Sequence, residues 1–257
     1  MINKEPLVSV VIPSYNHQDY IAKSLESVFN QTYKNIEVIV IDDGSADNTL
    51  DVIKQFKQKY DFEYQTQSNM GVCRTLNKAI SLSKGEYIAL LASDDYWALD
   101  KIEKQVKLLN ESAGSEFCFT QAKEFDDDKP DYSNIFPKKT LSGNVINKVF
   151  IRQHVPAGSM MFSRPLYDEL GGFDETLKEE DWDFVIRCAA KTSFSSVKEP
   201  LFYYRSHATN IMKTRGRKEI FRQKALILSK NFNLVPPYIW LSSILIHYAY
   251  DIILKRQ

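Results

Sequence analysis

Two pairs of aspartates, each ending an apolar run, are the residues of this chain best placed to do chemistry: Val40-Ile41-Asp42-Asp43-Gly44-Ser45 and Leu90-Leu91-Ala92-Ser93-Asp94-Asp95. Adjacent carboxylates at the mouth of a buried strand are costly to desolvate unless a cation or a set of donors faces them. In an open α/β sheet, ligands bind outside the carboxyl ends of the strands. The two pairs therefore suit one shared site. It could hold a hard divalent cation, which binds carboxylates together with phosphate oxygens, or accept from the hydroxyls and amides of a nucleotide. Turn chemistry is the plainer reading. Asp-Gly favours a tight turn, Ser45 or Asp47 suits a helix N-cap, and a cap near Trp97 needs one acid. It accounts for one acid of each pair, not both.

Two further segments carry polar groups. Val8-Ser9-Val10-Val11-Ile12-Pro13-Ser14-Tyr15-Asn16 reads as a strand leading into a turn with a hydroxyl, an aromatic ring and an amide; Asn16 also suits a helix cap. Glu179-Glu180-Asp181-Trp182-Asp183 puts several acids at a predicted helix start, where the helix dipole alone favours them.

The elements that must position these groups follow from hydrophobic period. Leu7–Ile12, Ile36–Ile41, Phe62–Gln65 and Tyr87–Ala92 read as strands; the second and fourth are near-continuous apolar runs, as expected when both faces are covered. Ile21, Leu25, Val28 and Phe29 recur at helical spacing, as do Leu50, Ile53 and Phe56. Val72, Leu76, Ala79 and Ile80 mark a third helix, and Leu99, Ile102, Val106 and Leu109 a fourth. The order βαβαβαβα predicts an α/β fold with a mostly parallel, Rossmann-like central sheet flanked by helices. Beyond residue 115 the pattern loosens: strands at Phe117–Thr120 and Ser159–Ser163, a polar loop over 123–144 containing Asp126-Asp127-Asp128, Pro130 and Pro137, a helix over Asp181–Ala190, and an extended Pro200–Arg205.

Bulk composition narrows the function. Lys plus Arg equals Asp plus Glu at 33 each over 257 residues, which argues against a nucleic-acid binder. The three cysteines, Cys73, Cys118 and Cys188, are far apart and form neither a disulfide framework nor a zinc site. With no signal-peptide pattern at Met1–Pro6, the chain reads as intracellular.

Taken in order, Val8–Asn16, Gln31-Thr32-Tyr33, Val40–Asp47, Asn69-Met70-Gly71, Gly85–Asp95, Gly171-Gly172-Phe173-Asp174 and Glu180-Asp181 resemble glycosyltransferase family 2, inverting nucleotide-sugar transferases of the GT-A fold. The resemblance runs over about residues 7–205. It implies a catalytic domain over 1–205, with a nucleotide-binding half to about 115 and an acceptor-binding half over 116–205. It places Pro13, Tyr15 and Asn16 at the nucleotide, with Tyr15 on the base. Asp43 would accept from a uracil ring, Asn69 and Gly71 would lie close to the nucleotide, and Asp94 would sit near the ribose or sugar. Asp95 would bind Mn2+ or Mg2+, and Asp181 would be the general base, with Glu180 orienting or structural. Arg205 would reach the diphosphate and His207 would join the metal; a surface histidine is the competing reading. Phe173 and Trp182 read as core rather than as an acceptor platform. Two departures stand out. The acid motif is often Asp-x-Asp, whereas here it is Ser93-Asp94-Asp95, and an Arg that many relatives carry after the Asn-x-Gly is replaced by Leu76, with Arg74 displaced by two residues.

The resemblance implies a nucleotide-sugar donor, an expected UDP-sugar, and a glycan or lipid-linked glycan acceptor in bacterial surface polysaccharide or lipopolysaccharide synthesis. A Rossmann-type oxidoreductase is disfavoured because no G-x-G-x-x-G follows the first strand. A binding module that has lost catalysis is disfavoured by the presence of both Asp95 and Asp181.

Residues 206–257 read as a helical extension. From Lys213 to Lys230 there are seven basic residues and one acid, Glu219. Tyr238–Leu254 is almost wholly apolar except for Ser243, His247 and Asp251, whose i, i+4, i+8 spacing puts them on one helical face. An intramembrane Asp is costly, so this is a poor spanning helix. Packing on the domain, homodimerisation and contact with a membrane surface all remain open, and the basic segment favours the last, at the inner face of a cytoplasmic membrane.

Overall fold

The computed structural model describes residues 5–112, 114–127, 132–178, 180–207, 210 and 215–254, without the side chain of Glu180. Met1–Lys4, Asp128, Pro130, Glu179 and Lys213, named above, lie outside it.

The first strands form as the sequence predicts: β1 (Val8–Ser14), β2 (Ile36–Asp42), β3 (Glu63–Thr66) and β4 (Tyr87–Leu90) pair in parallel in the order β3-β2-β1-β4. Their continuous apolar runs are explained by the two faces they serve. Val11, Ile39 and Ile41 enter one core with Leu76, Ile80 and Phe184, while Val10, Ile12, Val38 and Val40 enter the other with Leu25, Ile102 and Val106. Neighbouring side chains on a strand point to opposite faces, so a strand buried on both sides is apolar at every position. The connecting helices are α1 (Ile21–Phe29), α2 (Thr49–Lys57) and α3 (Val72–Leu82).

Beyond β4 the sheet becomes mixed. A two-residue strand β5 (Tyr96–Trp97) is followed by α4 (Lys101–Glu111), β6 (Ser115–Phe125), β7 (Ile135–Phe136), α5 (Ile146–Ile151), β8 (Met161–Ser163), α6 (Arg164–Leu170), α7 (Glu180–Lys191) and β9 (Ser193–Arg205). The spatial order continues β4-β8-β6-β9-β5, with β7 on β6. Strand β6 runs to Phe125, into the segment expected to be loop, because it pairs in parallel with the whole length of β9. Pairing of Tyr96 with Tyr203 and of Trp97 with Phe202 brings the residues just before β5 against the end of β9.

The extension forms α8 (Arg217–Lys230) and α9 (Pro237–Tyr248), continued by a π-helical turn over Ala249–Ile253. It packs on the domain. Ile227, Leu228 and Val235 share a buried cluster with Phe150 of α5 and with Trp182 and Ile186 of α7, and Ile239, Trp240 and Ile244 border that cluster. All three cysteines are buried free thiols, as expected.

Candidate active site

Strands β1 and β2 end in register, Ser14 beside Asp42, so the first acid pair emerges at the carboxyl edge. Asp42 accepts from Ser45 Oγ at 2.5 Å and from Thr66 Oγ1 at 3.1 Å, which is the turn role. Asp43 faces the other way. Its carboxylate accepts from the backbone N–H groups of Met70 and Gly71, both at 2.9 Å, and from Gln67 Nε2 at 2.7 Å. Three donors thus compensate a carboxylate only 5% exposed. They also fix Asn69 and Gly71 at this edge. Gly44 permits the approach, since a Cβ there would lie 2.9 Å from the Asn69 nitrogen.

After β1, Asn16 adopts φ 53°, a left-handed conformation uncommon for a non-glycine residue. Its Oδ1 accepts from Ala46 N at 2.8 Å and its N–H donates to Ser45 Oγ at 2.9 Å, so the first acid turn holds the residue in place. Pro13 is half-buried, and Tyr15 stands 46% exposed at the rim. The next residue, His17, points inward.

The second acid pair divides. Asp95 is 4% exposed and its Oδ1 accepts from the backbone N–H of Arg205 at 2.8 Å. Burial, and then the charge of Asp94, push its carboxyl well above the usual range, despite the opposing pull of Arg205. Asp94 instead opens towards two histidines. Its Oδ2 lies 3.1 Å from His207 Nε2 and 3.8 Å from His17 Nε2. Burial works against its charge, but the His207 hydrogen bond and the His17 charge outweigh it and hold the carboxyl below the usual range. One ligand atom from each of His17, Asp94 and His207 lies within 4.8 Å of the others.

Asp94, expected at the sugar, lies in the histidine cluster, whereas Asp95, expected at the metal, accepts from the Arg205 amide at the end of β9. The β5–β9 pairing is the physical reason: it places Asp95 under the Arg205 amide. His207 does join the cluster. His17 was not singled out from sequence, where its only signal is its place directly after Tyr15-Asn16.

Two imidazole nitrogens and one carboxylate together could hold a divalent cation. The set is also oriented for the purpose. His17 Nδ1 is 2.7 Å from Ser93 Oγ, which leaves Nε2 towards Asp94. Burial lowers the His17 pKa more than Asp94 raises it, favouring the neutral imidazole that a metal requires.

Arg205 is turned into the fold. It is 3% exposed, donates to the Asp94 carbonyl at 2.6 Å and to the Asp127 carboxylate, and lies over the rings of Tyr20 and Phe125. Tyr20 stacks in turn on His207. The arginine is a brace behind the cluster.

Asp181 begins α7 in a separate place. Its carboxylate accepts from Gln153 Nε2 at 3.2 Å and from the Trp182 N–H at 2.8 Å. Burial raises its pKa more than these donors lower it. Among the described residues, no hydrogen bond or ion pair joins Asp181 to the histidine cluster or to the Asp43 turn. Trp182 and Phe173 are core residues, as read from the sequence: Trp182 donates to the Val149 carbonyl at 2.7 Å and Phe173 packs on Phe184. Leu76 is core as well, and Arg74 pairs with Glu175 at the surface, so it does not stand in for the missing arginine.

A sheet edge that collects an acid-held loop, a rim tyrosine and an imidazole–carboxylate cluster defines a nucleotide-sugar-type α/β transferase fold of the GT-A kind. The comparisons with known proteins specify it: the model of Glycosyl transferase family 2 matches residues 9–171, and the chain belongs to that family. It is 31% identical over 243 residues to EpsH of Bacillus subtilis (strain 168), a glycosyltransferase by name, across 88% of this chain and 68% of that protein. Over 103 residues, 40% of this chain and 41% of the other, it is 42% identical to WfaP of Escherichia coli, a UDP-Glc:alpha-D-GlcNAc-diphosphoundecaprenol beta-1,3-glucosyltransferase. The crystal structure of S. aureus TarS 1–349 with UDP-GlcNAc superposes with TM-score 0.74 at 19% identity, covering 95% of this chain and 72% of TarS, which establishes the shared fold. The protein is thus a family 2 glycosyltransferase.

Proposed function

We propose that the protein transfers a hexosyl or N-acetylhexosaminyl unit from a UDP-sugar to a glycan acceptor with inversion at the anomeric carbon, in a Mn2+-dependent reaction. The observation that carries this reading is the His17–Asp94–His207 cluster at the same sheet edge as the Asn16–Asp43 turn. TarS, with the same fold, binds UDP-GlcNAc, and the similar WfaP uses UDP-Glc.

Tyr15 stacks on the uracil. Pro13, Asn16, Asn69 and Gly71 shape the pocket around it. A carboxylate offers about four acceptor positions, and Asp43 uses three, which leaves one for the uracil ring N–H. His17, Asp94 and His207 would hold the cation, which would supply positive charge against the leaving diphosphate. Asp95 and Arg205 position that set. The acceptor hydroxyl attacks the anomeric carbon from the face opposite the diphosphate. Its proton passes to Asp181, and the anomeric carbon–oxygen bond to UDP breaks. Burial favours the protonated form of Asp181, which makes it a stronger base than an exposed aspartate.

A panel of UDP-sugars assayed for UDP release with and without Mn2+ tests the donor and the metal, and the anomeric configuration of the product tests inversion. Retained configuration, or equal UDP release in chelator, overturns the corresponding part.

A further inference from the structure

Helix α9 and its π-helical continuation bury a polar stripe beside Ile239, Trp240 and Ile244 and leave large apolar side chains outside. Ser243 Oγ donates to the Phe150 carbonyl at 3.0 Å, His247 Nε2 lies 3.1 Å from the Ile151 carbonyl, and Asp251, in the continuation, accepts from Lys224 Nζ of α8 at 2.8 Å. The outer face is apolar. Tyr238 is 65% exposed, Leu241 51%, Leu245 56% and Ile253 63%, with Tyr248 and Leu254 beside them. A helix built for water turns its apolar stripe to the core. Single exposed leucines are ordinary, but a face of large apolar side chains, interrupted by the exposed Ser242, marks a binding surface.

The charge beside that face selects the occupant. Arg217 of α8 donates to the carbonyls of Tyr250 and Leu254, and Phe221 packs edge-on against Tyr248, so α8 borders the apolar face along its carboxyl-terminal half. Lys218 and Arg222, four residues apart and both exposed, share one side of α8. Cations flanking leucines and tyrosines fit anionic headgroups over an acyl boundary. Among the described residues no helix is long and apolar enough to cross a membrane, which restricts the mode to lying in the interface.

We propose that the outer face of α9 and its π-helical continuation, together with the exposed Lys218 and Arg222 of the adjoining α8, docks the enzyme on an anionic lipid surface. The same helix touches the acceptor side from within. His247 packs on Trp182, which adjoins Asp181, and Ile151, whose carbonyl His247 meets, is two residues from Gln153, the hydrogen-bond partner of Asp181. Resting on the functional reading above, the surface therefore presents the base side of the site to a lipid-linked acceptor.

The test is co-sedimentation of the full chain with phosphatidylcholine vesicles, with and without phosphatidylglycerol. Binding is expected only with the anionic lipid and is expected to weaken with salt. Leu241→Ser with Leu245→Ser should reduce binding roughly a hundredfold at an unchanged melting temperature, because both side chains already face outward. Lys218→Glu with Arg222→Glu should reduce it by at least about fivefold per cation removed. Absence of binding by the intact chain overturns the proposal. So does undiminished binding by the leucine variant, or a dimer in light scattering that this variant converts to monomer. Binding is read without substrate, so its outcome stands apart from the reaction assignment.

Discussion

The sheet edge and the helical extension dispose of polarity in opposite ways. Along β1, β2 and β4 apolar side chains fill both faces of the sheet and the acids gather at one end, each met by amides, hydroxyls or imidazoles. Along α9 a hydroxyl, an imidazole and a carboxylate point inward and leucines and tyrosines point out. The first arrangement creates a site within a water-exposed edge. The second makes sense where part of the surroundings is not water. Amphipathic spacing alone does not reveal which face of a helix is the buried one.

The largest expected effect lies at the sheet side. Asp181→Asn should cut turnover by roughly 10²–10⁴-fold while leaving UDP affinity within about twofold, checked by single-turnover kinetics and calorimetry. In the parent enzyme the acid limb of the rate–pH profile should fall above the ordinary aspartate value, because burial raises the Asp181 pKa and the base must be ionised.

Asp94→Asn should weaken Mn2+ binding by at least about a hundredfold. Asp95→Asn should weaken it by about tenfold or less, because an amide oxygen at that position still accepts from the Arg205 N–H. Equal effects from both would return the metal role to the pair as a whole.

Two leucines of the extension test its inversion directly. Leu228→Ala, inside the shared cluster, should cost about 2–5 kcal/mol in denaturant unfolding. Leu241→Ala, on the outer face, should change stability by no more than about 0.5 kcal/mol in the absence of lipid. A similar cost for both would mean that the outer leucines serve packing.

A further effect to resolve concerns a buried cation on the sheet side. Lys101 is fully buried, donates to Gln105 Oε1 at 2.7 Å and lies 3.8 Å from the centre of the Trp97 ring; burial lowers its pKa to about 7. Between pH 7 and the unfolded value near 10.5 the unfolded chain binds more protons, so folding stability should rise with pH across that window and carry the full penalty below it. Lys101→Met should flatten that slope, removing on the order of 5 kcal/mol of pH dependence over the window in denaturant unfolding.

Much of the nucleotide half is legible from sequence because its strands are short, bounded and buried on both faces, which leaves unbroken runs such as Ile36–Ile41. The pieces that escaped, β5, α5 and α6, are short and owe their form to tertiary partners: Tyr96 and Trp97 are extended because β9 pairs with them. Site residues split along the same line. The acids, the amides and His207 were visible as residue types at strand ends, yet which carboxylate of Ser93-Asp94-Asp95 faces the ligands depends on a neighbour about 110 residues away. Gln153 gave no signal at all, since its role rests on contact with Asp181 across |i−j| = 28. The polar stripe of α9 was read correctly as one face, and its inward direction became clear only from its partners Phe150 and Ile151.

That 110-residue span has a consequence for the order of synthesis. His17 and Asp94 leave the ribosome well before His207, and contacts between distant segments close late because a large loop must first be ordered. A chain that ends before β9 would carry β1 to β4 and still lack His207, the arginine brace and the partner of β5. Under the proposed function, metal-dependent donor binding is then expected only once β9 has been made.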